Sequence, residues 1–550
     1  MVYYELLGKS ISGPFTIPSG IVTTEPSVIR RIADDIPEIG IITTKSISVE
    51  PREGNREPII TQYAPLCFAN AVGLRNPGAE KFAEGLAEIS PLPDDKFLMV
   101  SIFGGNKDEF LGAAEYLYEY ADGFELNVSC PHAEGYGQAI GQDTELVIDI
   151  AKGVKKFGKP VFIKLSPNIN FDPILAEHAD GFVAINTAGP GMHIVDGYPV
   201  LTNIKGGISG RSILPIGVGY ISDLRKALNE RGYNKPIIAC GGISTADHVR
   251  NYKSVGADFF GVGSALAGMN TEEIEKYFSY LMRDYQKGTN RAMKRVKADV
   301  GMSYISCHVA QRGDLADDLF ILEFEEDIQV KPGQFIFAWL PEKGEKPFSV
   351  LDDEPFTLLI GKRGYFTETL SKLEPGDNLY IRGPYGRPLN VHGNVLRRGL
   401  FGRQLKVPGD ILMVGGGTGI AALYLPMKNK HEGTTTALLG AKSKKHLPLW
   451  YFDHKDVNLE VATEDGSYGH KGLVTDLLEK ALESGKFDYC VNCGSEAMTN
   501  AVLEIELRYL KPEEIFSSID YPTHCGVGLC GSCATKSGYR SCVDGPFMNK

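Results

Sequence analysis

PIIACGGISTADHVRNYKSVGADFFGVGSAL, residues Pro236–Leu266, contains one full structural period. An apolar run closes on Gly241 and Gly242, an amphipathic stretch (TADHVRNYKSVG) follows, and a second apolar run, DFFGVGSA, starts at Asp258. A short β-branched run that ends in glycine and leads into a helix-length segment reads as a buried parallel strand with its crossover helix. The period recurs upstream. GIITTKSI, FLMVSIFG, GFELNVSC, PVFIKLSP and GFVAINTAG each read as a strand, and TELVIDIAKGVKKFG as a helix. Seven or eight such units within residues 1–285 predict an α/β TIM barrel. A doubly wound sheet competes, but its opening glycine-rich fingerprint is missing from the first βα turn.

Downstream the rhythm changes. QKGTNRAMKRVKAD is polar and basic, and residues 286–299 are taken as a linker. YISCHVAQ, DLFILEFE, GQFIFAWL, FTLLIGKR and NLYIRGPYG then alternate between Gly/Pro turns, which predicts a small antiparallel β-barrel over residues 300–405. From GDILMVGGGTGIAAL the strand–glycine turn–helix rhythm returns, predicting an α/β nucleotide-binding domain over 406–515, with a cysteine segment at 516–550. A chain of 550 residues has room for three or four such domains.

Composition narrows the classes. Hydrophobic residues at 43% and charged residues at 23% are ordinary for a globular protein. A net charge of −12 with no basic face argues against nucleic acid as a partner. No apolar run approaches the ~18 residues of a membrane helix, and the start lacks a basic-then-apolar leader. Scattered thiols such as Cys67 and Cys240 show no disulfide spacing, so a reducing, cytoplasmic location is expected.

The end of the chain reads HCGVGLCGSCATKSGYRSC. Cys525, Cys530 and Cys533 follow C-x4-C-x2-C, and Cys542 comes after eight further residues. This is the spacing of plant-type [2Fe–2S] ligation. Zinc competes, but structural zinc sites more often use paired C-x2-C or histidines. Gly526, Gly528 and Gly531 suit a short loop wrapped around a cluster, and His524 is expected as a solvated neighbour.

ILMVGGGTGIAAL places Gly415, Gly416, Gly417, Thr418 and Gly419 between a strand and a helix start, where glycines let a pyrophosphate approach the backbone. A tight βα turn is the plainer alternative. TEDGSYGHKG and CGSEAM stand at two further strand ends of the same domain. In the first half, FELNVSCPH puts Asn127, Cys130 and His132 at a strand's C-terminal end, the catalytic rim of a TIM barrel. Lys45, Lys164, Asn186 and Thr187 stand at three other strand ends, and Asn70 joins them through a loop. Amide and ammonium groups gathered at one rim suit a planar, carbonyl-rich anion over a flavin. Gly241, Gly242, Gly263 and Ser264 read as a phosphate grip.

These motifs carry two resemblances. Residues 300–515 resemble the ferredoxin-reductase superfamily through EKPFSV and LIGKRGYFTETL. The likeness implies FAD held by Lys346, Pro347, Phe348, Ser349, Gly364 and Thr367, with NAD at Gly415–Gly419. Lys346 stands where that family usually has arginine, and lysine lacks the fork that pairs two phosphate oxygens. Residues 1–285 resemble dihydroorotate dehydrogenases of the NAD-dependent class 1B through GLRNPG, NVSCP, KLSPN, INT and NIKGGISG. The second half is similar to that enzyme's electron-transfer subunit through CGVGLCGSC and CVDGPFM, as if two subunits were fused.

The resemblance implies dihydroorotate bound by Lys45, Asn70, Val72, Gly73, Leu74, Asn127, Asn186 and Thr187. It implies FMN bound by Ser19, Lys45, Ser46, Asn127, Lys164, Gly210, Gly241, Gly242, Gly263 and Ser264. Cys130 would take the C5 proton, and electrons would pass from FMN through the [2Fe–2S] cluster to FAD and NAD in pyrimidine synthesis. Members of the family commonly dimerise through the barrel. Three alternatives stay open. Cys-Pro-His at 130–132 is also seen in dihydropyrimidine dehydrogenases acting on uracil or thymine. The chain could instead be an electron carrier whose barrel merely binds flavin, and NADP could replace NAD.

Overall fold

In the first half of the chain eight strands pair in parallel and in chain order: Phe15–Ile17, Ile39–Thr43, Phe97–Ile102, Gly123–Asn127, Val161–Leu165, Gly181–Ala184, Ile237–Cys240 and Phe259–Gly261. The last closes on the first, with Phe260 paired to Phe15, making a TIM barrel. The computed structural model describes residues 3–128, 140–291, 301–389, 410–428, 433–452, 456–518 and 521–549, and the backbone alone at 138–139, 396–397 and 404–405. Two units emerge: Met1–Met302 with Val527–Arg540, and Ser303–Gly526 with Ser541–Lys550. Residues 516–550, read from the sequence as one segment, are thus divided between them.

Seven of the eight barrel strands match runs legible in the sequence. The first, Phe15–Ile17, does not. It has only three residues and lies between Pro14 and Pro18, so no periodicity builds up. Two helices start at side-chain caps. Thr245 accepts from the amide of His248, and Asn270 forms a capping box with Glu273. The helix Thr271–Lys287 runs into the expected linker, so residues 286 and 287 are helical; Gly288 ends it in the left-handed conformation.

A hairpin of Tyr4–Leu6 and Lys9–Ile11 supplies Leu6 and Ile11 to the barrel's interior core, where they pack with Phe97, Phe162 and Phe259. These phenylalanines stand at the starts of their strands, so the N-terminal end of the barrel is plugged. At the other end the loops after the second and sixth strands form a four-stranded antiparallel sheet, ordered Ala188–Gly191, Gly206–Gly210, Cys67–Asn70, Ile60–Ala64.

The second unit contains a closed antiparallel barrel of six strands: Ile305–Ala316, Leu319–Phe324, Phe335–Leu340, Gly344–Asp353, Phe356–Gly361 and Asn378–Tyr385. The sequence showed five of them. Gly344–Asp353 was hidden by Pro347, which lacks a ladder donor yet pairs with Phe337. A seven-stranded sheet completes the unit, ordered His470–Lys471, Val457–Thr463, Thr435–Ala441, Ile411–Gly416, Tyr489–Cys493, Ile515–Ser518, Phe547–Met548, and parallel except for the last strand. The chain order reverses beside Ile411–Gly416, where open α/β sheets bind ligands.

A buried carboxyl in this sheet yields a stability test. Glu506 is 0% exposed and accepts from Asn492 Nδ2 at 2.7 Å. Burial, opposed by the hydrogen bonds of Asn492 and Cys490, pushes its pKa up to about 8. An unfolded glutamate ionises near ~4.3. Between those values the native state binds the extra proton, so stability falls as pH rises toward 8. Glu506→Gln cannot ionise. At pH 8.5 it should be more stable than the parent by on the order of 2 kcal/mol or more, with a higher thermal midpoint, and the gain should fade by pH 5. Equal pH slopes in calorimetry would sink the assignment.

Candidate functional site

Each barrel strand delivers its last residues to the C-terminal mouth, so polar side chains distant in sequence meet there. A cavity of about 220 Å³ opens at this mouth. Its lining includes Ser19, Lys45, Ser46, Asn70, Val72, Gly73, Leu74, Asn127, Lys164, Asn186, Thr187, Gly210, Gly241, Gly242, Gly263 and Ser264. Every barrel residue singled out in the sequence for substrate or flavin therefore faces one space, apart from Cys130 and His132, which lie outside the described residues.

The floor of the cavity is hydrogen-bonded throughout. Lys164 Nζ donates to Ser19 Oγ at 2.8 Å and to Glu125 Oε1 at 3.3 Å. Ser101 Oγ donates to the same carboxylate oxygen at 2.7 Å. Asn127 Nδ2 reaches Ser46 Oγ at 2.9 Å, and Asn186 Nδ2 reaches Asn127 Oδ1 at 3.4 Å. Ser101 and Glu125 escaped the sequence reading because each sits inside an apolar run. Lys45 is half-buried. Desolvation lowers the pKa of its ammonium, against the opposing pull of Cys530 and Glu25.

The glycines are required by close approach. A Cβ on Gly210, at φ +92°, would lie 1.9 Å from the carbonyl oxygen of Leu66. Gly241 and Gly242 take φ of +122° and +73° at the end of the seventh barrel strand. Left-handed glycines with backbone amides beside a cavity form the kind of nest that holds phosphate.

Among the lining residues not anticipated, Leu529 and Cys530 come from the far end of the chain. They arrive because residues Val527–Arg540 fold with the first unit. Val22 N–H donates to the Leu529 carbonyl at 2.7 Å, and Gly268 N–H to that of Val527 at 2.8 Å. Buried Arg540 donates to the Gly528 and Met269 carbonyls. A Cβ on Gly531 would lie 1.7 Å from Thr24 Oγ1. Cys530 and Cys533 belong to this unit, Cys525 and Cys542 to the other, and all four are buried. His524, expected to be solvated, is only 9% exposed.

In the second unit a cavity of about 850 Å³ is lined by Lys346, Pro347, Phe348, Ser349, Thr367, Gly416, Gly417, Thr418 and Gly419. Gly364 and Gly415 are not on its wall. Gly415 lies inside the strand Ile411–Gly416, where a Cβ would meet Leu423 at 2.8 Å. Gly364 instead accepts from Thr367 Oγ1 through its carbonyl, at 3.1 Å. Arg363, passed over in the sequence although it lies in LIGKRGYFTETL, lines the cavity and reaches Thr418 Oγ1 at 3.5 Å. It brings the forked guanidinium that Lys346 lacks. Glu464, Gly472, Cys493, Gly494 and Met498, from the TEDGSYGHKG and CGSEAM stretches, share this wall.

An eight-stranded parallel barrel with amides, ammoniums and left-handed glycines around its C-terminal mouth defines a TIM-barrel enzyme. Residues 1–282 match the family model described as "Dihydroorotate dehydrogenase". The chain belongs to the dihydroorotate dehydrogenase family and is an oxidoreductase. It is 39% identical over 276 residues to the "Dihydroorotate dehydrogenase B (NAD(+)), catalytic subunit" of Pyrococcus horikoshii, covering 48% of this chain and 86% of the relative. The protein of the same name from Methanocaldococcus jannaschii is 36% identical over 314 residues, covering 55% of this chain and 98% of the relative. A solved structure titled "Insights into flavin-based electron bifurcation via the NADH-dependent reduced ferredoxin-NADP oxidoreductase structure" is 28% identical. It covers 44% of this chain and 87% of its own, at a TM-score of 0.38, too low to bear on the fold. Among the described residues no helix is long and apolar enough to cross a membrane.

Proposed function

We propose that this protein oxidises dihydroorotate to orotate at the barrel mouth and delivers the electrons to NAD through its second half. One observation carries the reading: sixteen residues, assigned from the sequence to substrate and FMN, line a single cavity in a chain of this family. FMN fits the site. Gly241, Gly242, Gly263 and Ser264 would hold its phosphate, and Ser19, Ser46, Asn127 and Lys164 its ring edge. Bound there, it supplies a two-electron acceptor.

The chain's own groups would do the rest. Asn70, Asn127 and Asn186 present amides that orient a planar ring carrying several carbonyl oxygens. Lys45 offers positive charge to the substrate's carboxylate or to charge developing on a carbonyl. Cys130, three residues after Asn127, is the base proposed to take the C5 proton. The four buried cysteines are the proposed ligands of the [2Fe–2S] cluster, and the glycine conformations of their loop suit it: φ is +77° at Gly526, +71° at Gly528 and +71° at Gly531. In the second unit Lys346, Ser349 and Arg363 would hold FAD. Gly416–Gly419 would hold NAD, because they line this cavity at the end of the strand Ile411–Gly416, beside which the chain order of the sheet reverses.

Purified protein should release equal amounts of FMN and FAD and carry about two iron atoms per chain, as one [2Fe–2S] centre requires. Dihydroorotate should drive NAD reduction, whereas dihydrouracil should not. Reduction of NAD by dihydrouracil alone would overturn the assignment of substrate. Absence of any flavin would overturn the whole reading.

A further inference from the structure

Glu125 does not line the barrel cavity. It is 1% exposed, inside the strand Gly123–Asn127, yet the polar floor of the cavity is organised around it. Five side chains form a closed ring. Ser101 and Lys164 contact Glu125 Oε1 at 2.7 and 3.3 Å, Lys164 contacts Ser19 at 2.8 Å, Ser19 meets Ser46 at 3.3 Å, and Ser46 meets Ser101 at 2.9 Å.

An ionised carboxylate only accepts, and that condition propagates around the ring. Ser101 must give its single proton to Glu125, so its oxygen must accept from Ser46. Ser46 has then spent its proton and must accept from Ser19 and from Asn127. The Asn127 atom facing Ser46 is therefore the amide nitrogen, and its oxygen is left to receive Asn186 Nδ2. Asn186 Oδ1 in turn accepts the Thr187 amide at 2.8 Å. Both asparagines are thereby held with oxygens turned into the network, and Asn127 keeps a further N–H to offer. Lys164 contributes its remaining N–H. The floor therefore presents donors, which suits carbonyl oxygens that gain charge on reduction.

We propose that Glu125 is the positioning residue of the redox site. Its carboxylate fixes the donor direction of the floor and, by pairing with Lys164, restrains the positive charge felt by the flavin. This rests on the reading of the cavity as a flavin site. The two side chains are 1% and 5% exposed, so no solvent substitutes for the pairing.

The test uses the full-length holoprotein, with the barrel flavin's midpoint potential and orotate affinity as readouts. Glu125→Gln keeps the shape, removes the negative charge and leaves Lys164 uncompensated. The midpoint should rise by a tenfold shift or more in the two-electron equilibrium, about 30 mV. Ser101→Ala opens the ring without changing charge. It should leave the potential within 10 mV (roughly a twofold shift in the same equilibrium) and weaken orotate binding at least tenfold, read from the flavin absorbance change. A flavin-loaded Glu125→Gln protein with an unaltered potential overturns the proposal. If that variant fails to fold, unchanged orotate affinity in Ser101→Ala overturns it instead. Wild-type protein without barrel flavin would instead refute the underlying site assignment.

Discussion

Serine in place of Cys130 should slow dihydroorotate oxidation at pH 7 by roughly 10²- to 10⁴-fold, the usual worth of a general base, while leaving FMN bound. A free thiol ionises near ~8.5 and a serine hydroxyl far above that, so the variant should recover part of its rate as pH rises. Cys130 stands three positions after Asn127 in the sequence. Asn127 is pinned at the cavity, 6% exposed and bonded to both Ser46 and Asn186. Stopped-flow reduction of the barrel flavin across pH 6–10 is the measurement. Parent-like rates at pH 7 would remove Cys130 from the mechanism.

The second large effect concerns stability. Arg382 and Glu345 form a two-pronged ion pair, at 2.7 and 2.6 Å, with both side chains at 0% exposure. Tyr304 Oη donates to the same carboxylate at 2.7 Å, and the guanidinium lies 3.9 Å over the Phe337 ring. Arg382 Nη1 also donates to the carbonyl of Cys525 at 3.0 Å. Glu345→Gln removes the countercharge and leaves a guanidinium buried without it, which costs about 3–5 kcal/mol. For a unit of this size that lowers the thermal midpoint by roughly 10 °C. Replacing both partners with methionine should recover much of the loss, since a buried pair is worth little more than apolar packing. Calorimetry on the three proteins decides it, and a loss under ~1 kcal/mol for the single variant would contradict the argument. Iron content should fall with Glu345→Gln, because Arg382 supports the backbone of a proposed cluster ligand.

Much of this protein was legible in its residues. Strand ends such as INT and KLSP announced a barrel rim, because a buried parallel strand is a local pattern and its C-terminal residues face the mouth by geometry alone. The cysteine spacing and the Gly417–Gly419 turn were local as well, although Gly415 proved to lie within the strand. Other features were out of reach of a linear reading. The strand Phe15–Ile17 is too short to show a period, and Gly344–Asp353 carries a proline that argues against a strand.

The floor of the site depended entirely on barrel closure. Glu125 lies between Phe124 and Leu126 in an apolar run, 24 residues from Ser101 and 39 from Lys164. Nothing local distinguishes it from a misplaced surface acid. Only when adjacent strands register, with Ser101 paired to Glu125 and Asn127 paired to Lys164, do these side chains come within reach. The same holds for Leu529 and Cys530, which reach the barrel cavity from the far end of the chain. The sequence by itself determined which chemical groups are available and which strand ends carry them. The tertiary structure decided which groups share a proton or a charge, because hydrogen bonds depend on ångström-scale distances that sequence separation does not encode.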